Sequence, residues 1–158
     1  MRLYLDGENS MFGLFKSDPY TDAELGTFTR ARGKWRGTVT LPGRGPTPVA
    51  LSGGRKQPDA RALTLARLVP AQYGSLIPDI QTGLFEHYEP YLQAHEAGDY
   101  LAGEPFPKFG NDSSLWEKVR LVGVAIGAEE FEVVYQTDWD EEHSVGARIR
   151  DGKVVEMD

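Results

Sequence analysis

No cysteine occurs in the 158 residues, so disulfides, thiolate nucleophiles and Cys-ligated zinc or iron–sulfur sites are excluded. The same absence fits a reducing compartment. No apolar run approaches the roughly 18 residues that a membrane span needs, and Asp6 and Glu8 interrupt the N-terminus before any run of signal-peptide length. The sequence therefore predicts one soluble, cytoplasmic domain with no membrane association. Also missing are G-x-x-x-x-G-K-[ST], G-x-S-x-G and His-Glu-x-x-His, which leaves no signature of a phosphate loop, a serine nucleophile elbow or a zincin. No cofactor is implied.

Charge is present in quantity but unevenly placed. From Thr27 to Lys56 there are seven cations (Arg30, Arg32, Lys34, Arg36, Arg44, Arg55, Lys56) and no acid; with a net charge of −7, that leaves −14 for the remainder. An overall acidic chain is unsuited to general nucleic-acid binding, which draws its affinity from Lys and Arg. The local imbalance has two readings: solvated faces that interleave and pair, or a basic patch opposite an acidic one that steers a charged partner.

The hydrophobic pattern predicts an α+β fold in which an antiparallel β-meander is followed by a central, proline-broken helical region and then by a second antiparallel β-meander. Residues 1–26 read as partly irregular, with a short edge strand at 2–5 and a turn-rich stretch with a short helical turn at 18–22. Thr27–Ala31 and Lys34–Leu41 form a hairpin across Arg32-Gly33, and Thr47–Leu51 returns as a third strand after a Pro42–Pro46 loop. Gln57-Pro58-Asp59 opens the helix, whose apolar positions Ala62, Leu65, Ala66, Val69, Tyr73, Leu76, Ile77, Ile80, Leu84, Tyr88 and Leu92 keep helical spacing. Pro70, Pro78 and Pro90 divide it into two or three segments.

After a connecting loop over 98–114, strands are predicted at 118–126, 131–137, 144–150 and 153–157, with Asp151-Gly152 as the final hairpin turn. Pairing residues whose numbers sum to 280 places Phe131 with Ile149, Val133 with Ala147 and Tyr135 with Val145 on one face. On the other face Glu130 then meets Arg150 and Glu132 meets Arg148. Two meanders with a helix packed on one sheet face make a single domain over 1–158.

Few side chains form a constellation with chemical potential. Leu51-Ser52-Gly53-Gly54-Arg55 has the look of a nucleotide-cassette signature loop, but without a phosphate loop it reads as a glycine-rich strand-to-helix turn. His87 and His95 read as surface helix residues. The concentrated feature is Asp138-Trp139-Asp140-Glu141-Glu142-His143, four carboxylates and an imidazole at a hairpin tip. Such a loop is a solvated turn capped by Trp139, or a protein-contact surface made by Trp139, Asp140, Glu141, Glu142 and His143. A third possibility is a metal or acid–base site at Asp140, Glu142 and His143, although the spacing is not that of a calcium loop.

Trp139-Asp140-Glu141-Glu142-His143-Ser144-Val145-Gly146 resembles the W-D-x-E-H-x-x-G hairpin of some bacterial domains of unknown function. Leu25-Gly26-Thr27-Phe28 through Leu51, with the Ala/Leu-rich helix after it, is similar to the front part of another such group. The resemblance implies bacterial origin, an α+β domain and no established activity, some of those domains being immunity or accessory proteins. Asp140, Glu142, His143 and Gly146 fall on the motif without an assigned role. The expectation is a non-catalytic module whose partner is another protein, with a homo-oligomer also open.

Overall fold

The structure, a computed structural model, describes residues 16–98 and 106–158. Eight strands lie in one sheet in chain order: β1 (Tyr20–Asp22), β2 (Gly26–Ala31), β3 (Lys34–Leu41), β4 (Gly45–Leu51), β5 (Arg120–Ile126), β6 (Glu130–Gln136), β7 (Val145–Arg150) and β8 (Lys153–Met157). Helix α1 (Ala60–Glu96) and the short α2 (Asp112–Trp116) lie between β4 and β5. All neighbours are antiparallel except β4 and β5. A parallel pair cannot be joined by a tight turn; α1 is the crossover that merges the two meanders.

The period of two separates the faces of the sheet. One row of partners runs Arg30, Trp35, Leu51, Ile126, Phe131, Ile149, Val154, and its five central members are buried. The adjacent row, Arg36, Ala50, Ala125, Glu132, Arg148, Glu156, faces the other way. It consists of small and charged side chains, and no described helix covers it.

The expected 280 register is present from Glu130 opposite Arg150 to Tyr135 opposite Val145. One ion pair differs: Arg148 reaches Glu156 and, diagonally, Glu130 at 3.8 Å, while the Glu132 side chain lies over Gly146. Gly146 has no Cβ to obstruct it. Both two-residue turns take the left-handed backbone that tight hairpins require, with φ of 53° and 75° at Arg32-Gly33 and 51° and 70° at Asp151-Gly152.

Helix α1 starts as expected. Asp59 accepts from the Arg61 amide as N-cap. The Ser52–Pro58 turn is fixed by Asp59 N–H donating to Ser52 O at 2.9 Å. A Cβ on Gly53 would sit 2.6 Å from Pro58 Cα, so backbone packing explains that glycine. The helix does not break at its prolines; it runs unbroken through Pro70, Pro78 and Pro90. Each proline costs about 3 kcal/mol inside a helix, but the buried stripe Val69, Tyr73, Leu76, Ile80, Leu84, Tyr88 spans Pro70 and Pro78 and ends two residues before Pro90. Large apolar side chains contribute about 1.5–3 kcal/mol apiece on burial. Pro78 and Pro90 are exposed, where water can serve the carbonyls left without a donor.

Three further expectations are corrected. Tyr20–Asp22 is a strand, not a helical turn: it pairs with Gly26–Phe28, and buried Asp22 binds Arg67 of α1 and the amides of Glu24 and Leu25. Pro46 lies within the β3–β4 ladder, opposite Thr40, because β5 flanks β4 only at Val49–Leu51 and leaves the proline side of the strand open. Residues 112–116 are helical, with a reciprocal cap between Asn111 and Ser114. The expected strand at 2–5 lies outside the described residues. No described helix is long and apolar enough to cross a membrane.

Candidate functional site

At about 1.5 Å per residue the 37 residues of α1 extend about 55 Å, whereas eight-residue β3 extends about 26 Å. The helix contacts every strand from β3 to β8, and its C-terminal end takes further cover from residues 106–109 and Trp139. Tyr88, fully buried, is enclosed there by Phe85, Phe106, Phe109 and Trp139, with ring centroids 5.2–6.1 Å away. Its hydroxyl donates to Pro107 O at 2.8 Å and accepts from the Phe109 amide.

Trp139 belongs to this cluster. It is 5 % exposed, and its Nε1–H donates to His87 Nδ1 at 3.1 Å. Trp139, expected to cap the turn, packs on the C-terminal part of α1. His87 is correspondingly not a surface residue: it is half-buried and stacks on Tyr91. Burial lowers its pKa against the opposing pull of Asp140 and Asp158. The ring of His95 stacks on Phe106 at 4.7 Å.

Asp140 is the organising group of the loop. One carboxylate oxygen accepts from Tyr91 Oη at 2.9 Å, and the other accepts from the His143 amide at 3.1 Å and lies 3.1 Å from His143 Nδ1. Burial, the largest influence, raises its pKa; the hydrogen bonds from Tyr91 and His143 outweigh that and hold the carboxyl below its ordinary value. Its side chain is 12 % exposed, whereas that of His143 is 74 % exposed. Asp138 pairs with Arg120 at 3.2 Å, and Glu141 and Glu142 face solvent.

The expected residues thus divide into two sets. Trp139 and Asp140 are consumed by internal contacts, while Glu141, Glu142 and His143 are presented outward. Asp140 and His143 converge, but Glu142 does not join them in a ligand set. Among the described residues no three His, Asp or Glu side chains come together to hold a metal. Elsewhere, the Tyr135 and Tyr73 hydroxyls lie 3.4 Å apart in the core, and burial raises the pKa of Tyr135 and keeps it a neutral hydroxyl.

Sequence reasoning missed Tyr91 and His87 as supports of the loop. The available signal was their spacing of four, which stacks them on one helix face beside Tyr88 in an aromatic-rich helix end.

No curated protein and no solved structure matches the chain. Residues 27–158, from β2 through the helix, the aromatic cluster and the acidic hairpin to the last residue, match the family described as a domain of unknown function, DUF6985, and the chain belongs to that family.

Proposed function

We propose that the chain is a non-catalytic protein-binding module of bacterial, cytoplasmic origin, of the immunity or accessory kind suggested by its W-D-x-E-H-x-x-G hairpin. It engages a basic partner through Glu141, Glu142 and His143. The observation that carries this reading is the anchoring of the loop from beneath: Asp140 is bonded to Tyr91 and to His143, and Trp139 is buried against α1. Two carboxylates are thereby displayed on a fixed backbone. Preorganisation of this kind reduces the ordering cost of binding, and charge displayed at a rim accelerates encounter with an opposite surface.

The acid–base alternative draws no comparable support, because the Asp140 carboxylate beside His143 is already hydrogen-bonded to Tyr91 and to the His143 amide. A photo-crosslinking residue at Glu142 in the native host captures the partner, and the affinity of the purified pair is then measured by calorimetry. Glu141→Lys with Glu142→Lys is expected to weaken binding by about tenfold or more. Unchanged affinity in that double variant would overturn the assignment.

A further inference from the structure

The registers place the two charged features of the chain at diagonal corners. Trp35, Leu51, Ile126 and Phe131 share one row, so the β2–β3 turn and the residues after β4 emerge at the end of the sheet where β6 begins. The acidic loop follows Gln136, at the end where β6 finishes, about 20 Å away along the strands. It is also displaced by three strands across the sheet.

The basic corner is compact. Trp35 Nε1–H donates to Gly54 O at 2.8 Å, which draws Arg55 and Lys56 against the hairpin that carries Arg32, Lys34 and Arg36. All five cations are exposed, and none forms an ion pair among the described residues. Glu141 and Glu142 are likewise exposed and unpaired among those residues. Helix α1 starts at the basic corner and ends at the acidic one, so its backbone dipole adds to the side-chain separation.

We infer that the chain associates with a second copy of itself head to tail, the basic corner of one protomer receiving Glu141 and Glu142 of the next. The contact builds on the acidic display proposed above and competes with the partner for it. A second copy fits better than a nucleic acid, because the five cations wrap around a hairpin end instead of lining a groove, and the rest of the chain is strongly anionic. The pairing is heterologous, so a pair keeps a free corner at each end and further copies can add, as an open chain or as a ring where the rotation closes.

Salt dependence follows from the two length scales. With a Debye length of about 30 Å at 0.01 M, the net negative charges of two copies repel; at about 0.1 M only the touching corners interact; at about 1 M these too are screened. Association is strongest at intermediate salt, whereas a nucleic-acid site weakens monotonically as salt rises.

Sedimentation velocity over a concentration series tests the contact with two neutralised variants, Glu141→Gln/Glu142→Gln and Arg55→Gln/Lys56→Gln. The native chain is expected to grow in mass with concentration, each variant alone to remain a monomer, and an equimolar mixture to form pairs and nothing larger. In the mixture one intact basic corner still meets one intact acidic corner. A monomeric native chain at all three salt concentrations, self-association undiminished in either variant, or a mixture that stays monomeric would each overturn the inference. If any of these occurs while Glu141→Lys/Glu142→Lys still weakens the captured partner, only self-association fails. Chemical-denaturation midpoints equal to that of the native chain establish that the variants are folded.

Discussion

Trp139 has one polar atom, and an indole nitrogen only donates; its bond to His87 therefore requires Nδ1 of that imidazole to be unprotonated. Protonation would place two donors against each other inside the aromatic cluster, consistent with the lowered pKa of His87. The folded state thus binds fewer protons than the unfolded state once pH falls below the ordinary imidazole value of about 6.5. Stability declines from there until the folded group also titrates. Denaturation midpoints taken from about pH 8 down to about pH 5 should show this loss, and His87→Asn should reduce its slope; equal slopes would dissociate His87 from the effect. Two glycines give a second contrast. A methyl on Gly53 meets Pro58 Cα and the Asp59 amide, rigid backbone on both counts, so Gly53→Ala is expected to cost about 1–3 kcal/mol. On Gly146 its nearest neighbours are Oε1, Cδ and Cγ of the Glu132 side chain, which can swing away over the open face. Gly146→Ala should cost less than about 1 kcal/mol, and thermal melts of the two variants decide between backbone and side-chain obstruction.

At the scale of elements, α1 shows how packing overrides a local rule. Pro78 is exposed and denies the Gly74 carbonyl its donor. Pro78→Ala restores that bond and removes the ring clash, a gain near 3 kcal/mol, reduced by up to about 1 kcal/mol because the unfolded chain is freed as well. The expected result is a denaturation midpoint above that of the native chain; a lower one would mean that the proline shapes a bend the core depends on. Whether the chain bridges a proline is decided by the residues stacked on either side, and these lie on strands distant in sequence. The break expected at each proline was for that reason wrong, while the β6–β7 register was legible, since alternation and charge over its six residue pairs each select the same pairing. The strand at Tyr20–Asp22 was not legible. It has few apolar anchors, and its buried Asp22 is explained by Arg67, 45 positions away. The chemical roles within the acidic loop were hidden for the same reason: its spacing marked a hairpin tip, but His87, Tyr88, Tyr91 and Phe109 determine which of its side chains are left free.

The whole molecule is held at both ends of α1 by a carboxylate from the sheet side. Near the helix start, Asp22 accepts from the Leu25 amide, the Arg67 guanidinium and the Glu24 amide, which together hold its carboxyl below the ordinary value. Near the helix end, Asp140 accepts from Tyr91 and is also lowered. A lowered carboxyl contributes stability that is present above the ordinary value of about 3.9 and is lost as pH falls through the lower folded value. Acid should therefore loosen both ends of the helix in the same interval, below the range in which His87 acts. Because the two clamps share no partner, their losses should add to within about 0.5 kcal/mol. Asp22→Asn and Asp140→Asn are each expected to destabilise the chain at neutral pH, and the double variant by their sum. At a pH below both folded values the native chain and all three variants should approach the same midpoint. A double variant no worse than the single ones would mean that the helix is released as one unit, so that losing either clamp already forfeits the other.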